Sequence, residues 1–405
     1  MASRAVSARA SSRLRLVPAP AAGSRASKAE RERAGTRTVL MLLVPTALLL
    51  GVGLIMVFSA SSVAAYARYG SSFLFFQRQA VYAGVGVLGL LLLSRMPYVV
   101  WSRLAVPFLA ATGILLVLVL HSGAGTSAGG SSRWLAVGPI TIQPSEIVKL
   151  ALVAFAATVL TRKAALLDDV GHLLLPLLPV TALVCWLVMR QPDLGTTVIL
   201  AGTIFVLLFI AGVRLRYLGI AGIAGVAIGW ILIMSAAYRR ARFLSFLSPW
   251  NDPQNAGYHL IQSYIALGSG GLFGVGLGAS RQKWMYVPNA HTDFIFSILG
   301  EELGLLVAIC VLGLFGVLLY GGIRVASRAP DTFGRLLASG IVAWLGLQTI
   351  VNLGAVTGLL PITGVPLPLL SYGGSSLVVT LGAIGILVNI ARTPAVAARR
   401  RKDPT

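Results

Sequence analysis

The run LLLPLLPVTALVCWLVMRQPDLGTTVILAGTIFVLLFIAGV, residues 173–213, is apolar almost throughout. Its one interruption is Met189-Arg190-Gln191-Pro192-Asp193. Proline lacks the N–H that a helix interior needs and its ring clashes with the preceding turn. Two charges beside it fit a water-facing bend, not hydrocarbon. A membrane-crossing helix needs about 20 apolar residues. The stretch therefore reads as two spans, split at Pro192, and that split fixes the parity of every span around it.

Outward from this pair, apolar runs long enough to span occur near 38–60, 79–95, 103–120, 145–161, 217–236, 303–322, 335–357 and 374–391. With 173–189 and 195–213 this predicts an all-α polytopic membrane protein of about ten transmembrane helices. The composition agrees. The chain of 405 residues is 57% hydrophobic and 11% charged, with mean hydropathy +0.85. Soluble domains carry roughly 25% charged residues.

The net charge of +21 comes from 33 basic and 12 acidic residues. It is not a nucleic-acid face, because the basic residues lie at the chain ends and in alternate short loops. Arg95 and Arg103, Arg162 and Lys163, Arg214 and Arg216, then Arg324, Arg328 and Arg335 mark successive loops, and Arg392 to Lys402 mark the C-terminus. Loops rich in Lys and Arg stay cytoplasmic, which puts both termini inside. Residues 1–37 read as a disordered basic tail able to touch anionic lipid, with a transit peptide as the weaker reading. Residues 393–405 read as a second basic tail. The membrane domain is then 38–392, with outer segments 121–144, the Pro192 bend, 237–302 (between helices 7 and 8) and 358–373. No internal repeat is visible. Cys185 and Cys310 lie within apolar runs and read as buried, inert thiols.

Ionisable groups near hydrocarbon are costly and tend to be paired or functional. Glu146 and Lys149 stand three apart after Pro144-Ser145, on one face of a helix start. They are a self-neutralising pair or a polar site in equal measure. Arg133-Trp134 sets a cation beside an aromatic ring, suited to a phosphate or sugar but also to interfacial anchoring. Asp193 opens a helix, where capping explains it.

The outer segment 237–302 is richest. It holds Arg239, Arg240 and Arg242, then Asp252, Gly257-Tyr258-His259 and Gln262-Ser263, and then glycines from Gly268 to Gly278. Gly274 to Ala279 loosely matches a dinucleotide fingerprint, but no strand–helix–strand unit surrounds it. Close backbone approach is the better account. Arg281, Lys283 and Trp284 follow, then His291-Thr292-Asp293-Phe294. Asp293, Ser297 and Glu301 recur every four residues, which predicts one helix face. A carboxylate here, flanked by basic residues, suits a general base, and the cations suit a diphosphate. A capped helix end with ordinary loop charges is the competing reading. Residues 358–376, broken by Pro361, Pro366, Pro368 and several glycines, cannot form a regular span. They read as a re-entrant or outer-leaflet segment lining the site, since irregular backbone at membrane depth survives only inside protein or beside a cavity.

Taken together and in order, Pro144-Ser145-Glu146 with Lys149, Gln191-Pro192-Asp193-Leu194-Gly195, Gly257-Tyr258-His259 with Gln262-Ser263, His291-Thr292-Asp293-Phe294 with Gly300-Glu301-Glu302-Leu303-Gly304, and Leu370-Ser371-Tyr372-Gly373-Gly374-Ser375-Ser376 resemble the SEDS family (shape, elongation, division and sporulation) over about 38–392. The resemblance implies a peptidoglycan glycosyltransferase that polymerises lipid II, the undecaprenyl-diphosphate-linked disaccharide-peptide, on the outer face of the bacterial cytoplasmic membrane. It implies a class B penicillin-binding transpeptidase as partner, among other division-machinery membrane proteins. Asp293 matches the family's essential acid. The substrate-binding candidates are Arg133, Trp134, Glu146, Lys149, Asp193, Arg242, His259, Gln262, Arg281, Lys283, His291, Thr292, Ser371 and Ser375. Any divalent cation (Mg or Mn) would be shared with the substrate diphosphate, because the outer acids are too few for a protein cage.

The basic tail and the Tyr69-Gly70 to Arg78-Gln79 stretch favour the FtsW-like division branch, at the septum, over a RodA-like elongation polymerase. The rival readings are a lipid II flippase, an ion-coupled transporter and a non-catalytic scaffold. In the flippase and the scaffold Asp293 is dispensable for chemistry, while the transporter predicts proton or sodium dependence and midplane acids, whereas most acids here lie near the outer face.

Overall fold

The computed structural model describes residues 22–121, 125–128, 131–137, 140–163, 176–284 and 290–393. The expected tails lie outside these, apart from 22–37 and Thr393, as do Asp168 and Asp169. The first helix, α1 (Ala22–Tyr69), already includes residues 22–37.

The remaining helices are α2 (Leu74–Arg95), α3 (Val100–His121), α4 (Pro144–Arg162), α5 (Leu177–Met189), α6 (Leu194–Ala211), α7 (Leu215–Met234), α8 (Ala237–Leu247), α9 (Tyr258–Ser269), α10 (Ile295–Arg328), α11 (Thr332–Val356) and α12 (Gly374–Arg392). Among the described residues, nine are long and apolar enough to cross a membrane, and the shorter apolar α5 makes the tenth. Every expected run falls on one of them. The expected bend is there too. Asp193 ends it by accepting from the Thr196 N–H at 3.0 Å and the Thr196 hydroxyl at 2.9 Å, which caps α6. Likewise Pro144 occupies the first turn of α4, where its missing N–H costs nothing.

α4 is the central helix, packed against α3, α11 and α6, whereas α7 is almost bare to its surroundings. α12 packs along α2, and α1 along α10. Small residues allow these approaches. A Cβ on Gly385 would meet the Leu90 backbone at 2.6 Å. Cys310 departs from expectation. It is exposed on the outward face of α10, because the apolar run there is a lipid-facing surface and not a core.

One feature breaks the all-α pattern. The outer segment 121–144 carries a three-stranded antiparallel sheet, β1 (Gly125–Ala128), β2 (Ser131–Val137) and β3 (Ile140–Ile142), in that order. Trp134 pairs with Thr126, and Leu135 with Ile142. The sheet is tied to the bundle by the Thr141 N–H, which donates to the Tyr82 hydroxyl at 3.0 Å.

α10 is not continuous. At Gly304 the backbone adopts φ 79°, ψ 178°, which separates a short segment 295–303 from the rest. The glycine-rich chain after α9 fills the break. The N–H of Val275 donates to the Glu301 carbonyl (2.9 Å) and that of Gly276 to the Glu302 carbonyl (3.0 Å). In return, the N–H groups of Leu305 and Leu306 donate to the Gly271 and Leu272 carbonyls. A Cβ on Gly274 would lie 2.2 Å from the Glu302 carbonyl oxygen, so this glycine is required by the close approach the sequence suggested.

Candidate functional site

The ends of α3, α5 and α11 and the starts of α4, α6, α9, α10 and α12 gather at the end of the bundle that the charge pattern makes the outer one. Asp293 sits there, two residues before α10 begins. Its backbone carbonyl accepts from Asn352 Nδ2 at 2.9 Å, and the same nitrogen donates to the Val365 carbonyl at 2.7 Å. On the other side a Cβ on Gly364 would lie 3.6 Å from Asp293 Oδ2. The half-buried carboxylate is thus bracketed by α11 and the irregular 357–373 segment.

Three charges and one hydroxyl act on it. Burial pushes the Asp293 carboxyl up to about 6. The guanidinium groups of Arg242 and Arg133 pull it down, as does a hydrogen bond from Thr292, while Asp193 pushes it up. Arg242 comes from α8 and is exposed. Arg133 comes from β2 and reaches the bend between α5 and α6, where its Nε donates to the Gln191 carbonyl at 3.0 Å and its Nη2 to the Pro192 carbonyl at 2.6 Å. The bend, the sheet and the long outer segment therefore meet at one carboxylate.

His259, on α9, stacks on Phe294 with centroids 6.0 Å apart and 14° between planes. Its Nδ1 has no hydrogen-bond partner. Burial, then Arg242, hold its pKa below the usual imidazole range. His291 points the other way, onto Phe75 (5.0 Å) and Tyr372 (5.6 Å), and burial with Arg68 lowers it to about 4. Neither imidazole is charged at neutral pH.

The other candidates are distributed as follows. Glu146 and Lys149 are both about 1% exposed, with Nζ 2.8 Å from Oε2. Lys149 also donates to Gln348 Oε1 at 2.7 Å and lies 5.1 Å from the Trp344 ring centroid. Gln348 Nε2 in turn donates to the Pro366 carbonyl at 2.9 Å. The pair therefore buttresses the re-entrant segment from within. Ser371 accepts from the Leu367 N–H (2.8 Å), and Ser375 accepts from the Gln143 N–H (3.0 Å) and donates to the Thr141 carbonyl. Both organise the same loop and sheet. Leu369 lies against Gly53, about half-way along the Gly35–Tyr69 helix.

Of the predicted helix face, Ser297 meets Ser263 at 2.7 Å and Glu301 accepts from the N–H of Arg281 at 2.9 Å. Only Asp293 is at the charge cluster. Lys283 is buried and paired with Glu302 at 3.3 Å, away from Asp293. Arg281 is exposed, and Gln262 and Trp134 are half-buried near the rim.

Sequence reading missed Asn352 and Gln348. Both are amide side chains in the apolar helix α11, four residues apart and so on one face. That spacing was the available signal. No group of three or more metal-binding side chains occurs among the described residues. Asp193 and Asp293 are the two carboxylates at the site, and Asp193 is committed to its cap.

The family described as Cell cycle protein, that of FtsW, RodA and SpoVE, matches residues 39–395. The chain is 45% identical over 354 residues to Stage V sporulation protein E of Bacillus subtilis (strain 168), covering 87% of this chain and 96% of that one. It is 42% identical over 351 residues to a probable peptidoglycan glycosyltransferase FtsW of Geobacter metallireducens, covering 87% and 94%. A solved structure described as "Structural coordination of polymerization and crosslinking by a peptidoglycan synthase complex" superposes with a TM-score of 0.69 at 31% identity, over 86% of this chain and 96% of that one.

Proposed function

This chain belongs to the cell-cycle family of FtsW, RodA and SpoVE, and on that premise we propose that it is a peptidoglycan glycosyltransferase that polymerises lipid II at the outer face of the membrane. The observation that carries this reading is the Asp293 carboxylate, raised to about 6 and set between Arg242 and Arg133. A base tuned toward the working pH transfers protons more effectively than an ordinary carboxylate.

Asp293 takes the proton from the 4-hydroxyl of the acceptor N-acetylglucosamine. The freed oxygen attacks the anomeric carbon of the donor. The new glycosidic bond forms as the bond to the lipid diphosphate breaks. Arg242 and Arg133 supply positive charge where negative charge develops on the leaving diphosphate. The neutral imidazole of His259, beside Arg242, offers a hydrogen bond to a sugar hydroxyl or phosphate oxygen. A divalent cation (Mg or Mn) fits here only as one shared with the diphosphate, which would add charge neutralisation. Among the described residues no group of three or more metal-binding side chains offers it a cage.

The division role at the septum draws on the FtsW name among its relatives, beside which stands a stage V sporulation protein, and the class B penicillin-binding partner draws on a solved complex described as coordinating polymerization and crosslinking. The flippase reading asked Glu146 and Lys149 to line a polar cavity, and both are buried, paired with each other and with Lys149 against Gln348 and Trp344. The test is glycan synthesis from lipid II by the purified protein with its penicillin-binding partner, transpeptidation blocked. Wild type makes chains, and Asp293→Asn makes none while still inserting in the membrane.

A further inference from the structure

The segment of α10 that follows Asp293 is held by contacts outside its own helix. The break at Gly304 uncouples residues 295–303 from the long helix below. The backbone exchange with the glycine chain fixes the segment's lower end but says nothing of its tilt. Its two carboxylates supply the rest. Glu301 accepts from the Ser280 hydroxyl and from the Arg281 N–H. Glu302 accepts from Ser59 Oγ with both oxygens, at 2.7 and 2.6 Å, and from the Ser280 N–H at 3.4 Å. Lys283 Nζ lies 3.3 Å from Glu302 Oε1, 3.5 Å from Ser59 Oγ, and donates to the Gly278 carbonyl. Ser59, Lys283 and Glu302 are all buried. The ammonium fills an oxygen-lined hollow between α1, the 278–283 turn and α10.

We infer that the Lys283–Glu302 pair, with Ser59, is a positioning device that fixes the segment carrying Asp293, and that Lys283 does not bind substrate. Ser59 belongs to α1, so the device references Asp293 to the first span and not to the glycine chain alone. The inference rests on Asp293 being the base of the proposed reaction. It reassigns a cation that sequence alone would give to the diphosphate.

The experiment compares Lys283→Met, Glu302→Gln and the double variant with wild type, in lipid II polymerisation with the penicillin-binding partner. Removing one member strands a buried group, whereas removing both does not. Each single variant should lose turnover about tenfold or more with KM changed less than about twofold, and the double should recover most of it. A double variant as inactive as Lys283→Met, with KM raised, would overturn the inference and return Lys283 to the diphosphate. Wild-type turnover in both single variants would overturn it too.

Ser59→Ala strands no charge and serves if the single variants do not fold. A loss of kcat at unchanged KM supports the device, and unchanged kcat contradicts it. Hydrogen–deuterium exchange over residues 290–303 needs no activity. Exchange should rise in Glu302→Gln and fall back in the double variant, and unchanged exchange contradicts positioning. A wild type that makes no chains would defeat the proposed function, and the exchange would still judge the device.

Discussion

The side-chain amide of Asn352 donates to the backbone carbonyl of Asp293 at 2.9 Å and, through the same nitrogen, to that of Val365 at 2.7 Å. One nitrogen on a spanning helix thus holds both the residue that bears the base and the re-entrant wall opposite it. Removing it leaves two carbonyls without this donor, at a cost of about 1–3 kcal/mol for each that stays unsatisfied. Asn352→Ala should lower kcat more than tenfold while leaving KM nearly unchanged, an estimate that follows from losing geometry without losing binding. Steady-state polymerisation kinetics check this. A variant with wild-type kcat would remove Asn352 from the site.

The Glu146–Lys149 pair is buried, with Gln348 and Trp344 of α11 against Lys149. Breaking a buried pair from one side costs about 3–5 kcal/mol, while replacing both partners with apolar residues is often neutral. Lys149→Met and Glu146→Leu should each lower the thermal midpoint in detergent, and the double variant should regain most of the loss. Because Gln348 links Lys149 to the Pro366 carbonyl, the single variants should lose activity as well.

The raised Asp293 carboxyl sets a pH dependence. A base must be ionised, so turnover should fall as pH drops through about 6, not through the ordinary carboxylate range. His291, lowered to about 4, does not supply that limb, and burial with Arg242 holds His259 below the usual imidazole range. For stability the sign is opposite. A carboxyl whose folded pKa is raised favours the folded state below its unfolded pKa of about 4, and loses that contribution as pH rises through about 6. Asp293→Asn should therefore be inactive yet more stable than wild type above pH 6, by at most about 3 kcal/mol. Thermal melts at pH 5 and pH 8 check it.

Gly304 adopts φ 79°, and a Cβ there would meet the Gly274 nitrogen at 2.4 Å. Gly304→Ala should expel the glycine chain from the helix break and abolish activity or folding. Gly313, in the same helix, has open space around its Cβ position, so Gly313→Ala should behave as wild type in yield and turnover.

The spans were legible because each is a long apolar run, and Pro192 was legible as a bend because proline and charge have no place in hydrocarbon. Asp293 stood out by residue type and by its flanks. What stayed hidden is long-range. Glu302 finds Ser59 across 243 residues, and nothing local distinguishes that serine from its neighbours. Lys283 looked free because its partner Glu302 stands 19 residues on, at a spacing that no local pattern pairs with it. The sheet at 125–142 was hidden for another reason. Its strands are short and rich in Ser, Gly and Thr, with no alternation long enough to read. Asn352 and Gln348 could have been found from their spacing within an apolar helix.

The most direct test is the length of glycan made from lipid II by the purified protein and its penicillin-binding partner, transpeptidase blocked, with wild type beside Asp293→Ala. Wild type should give long strands and the variant none, at equal yield and equal association with the partner. Strands of wild-type length from Asp293→Ala would contradict the assignment of Asp293 as the base.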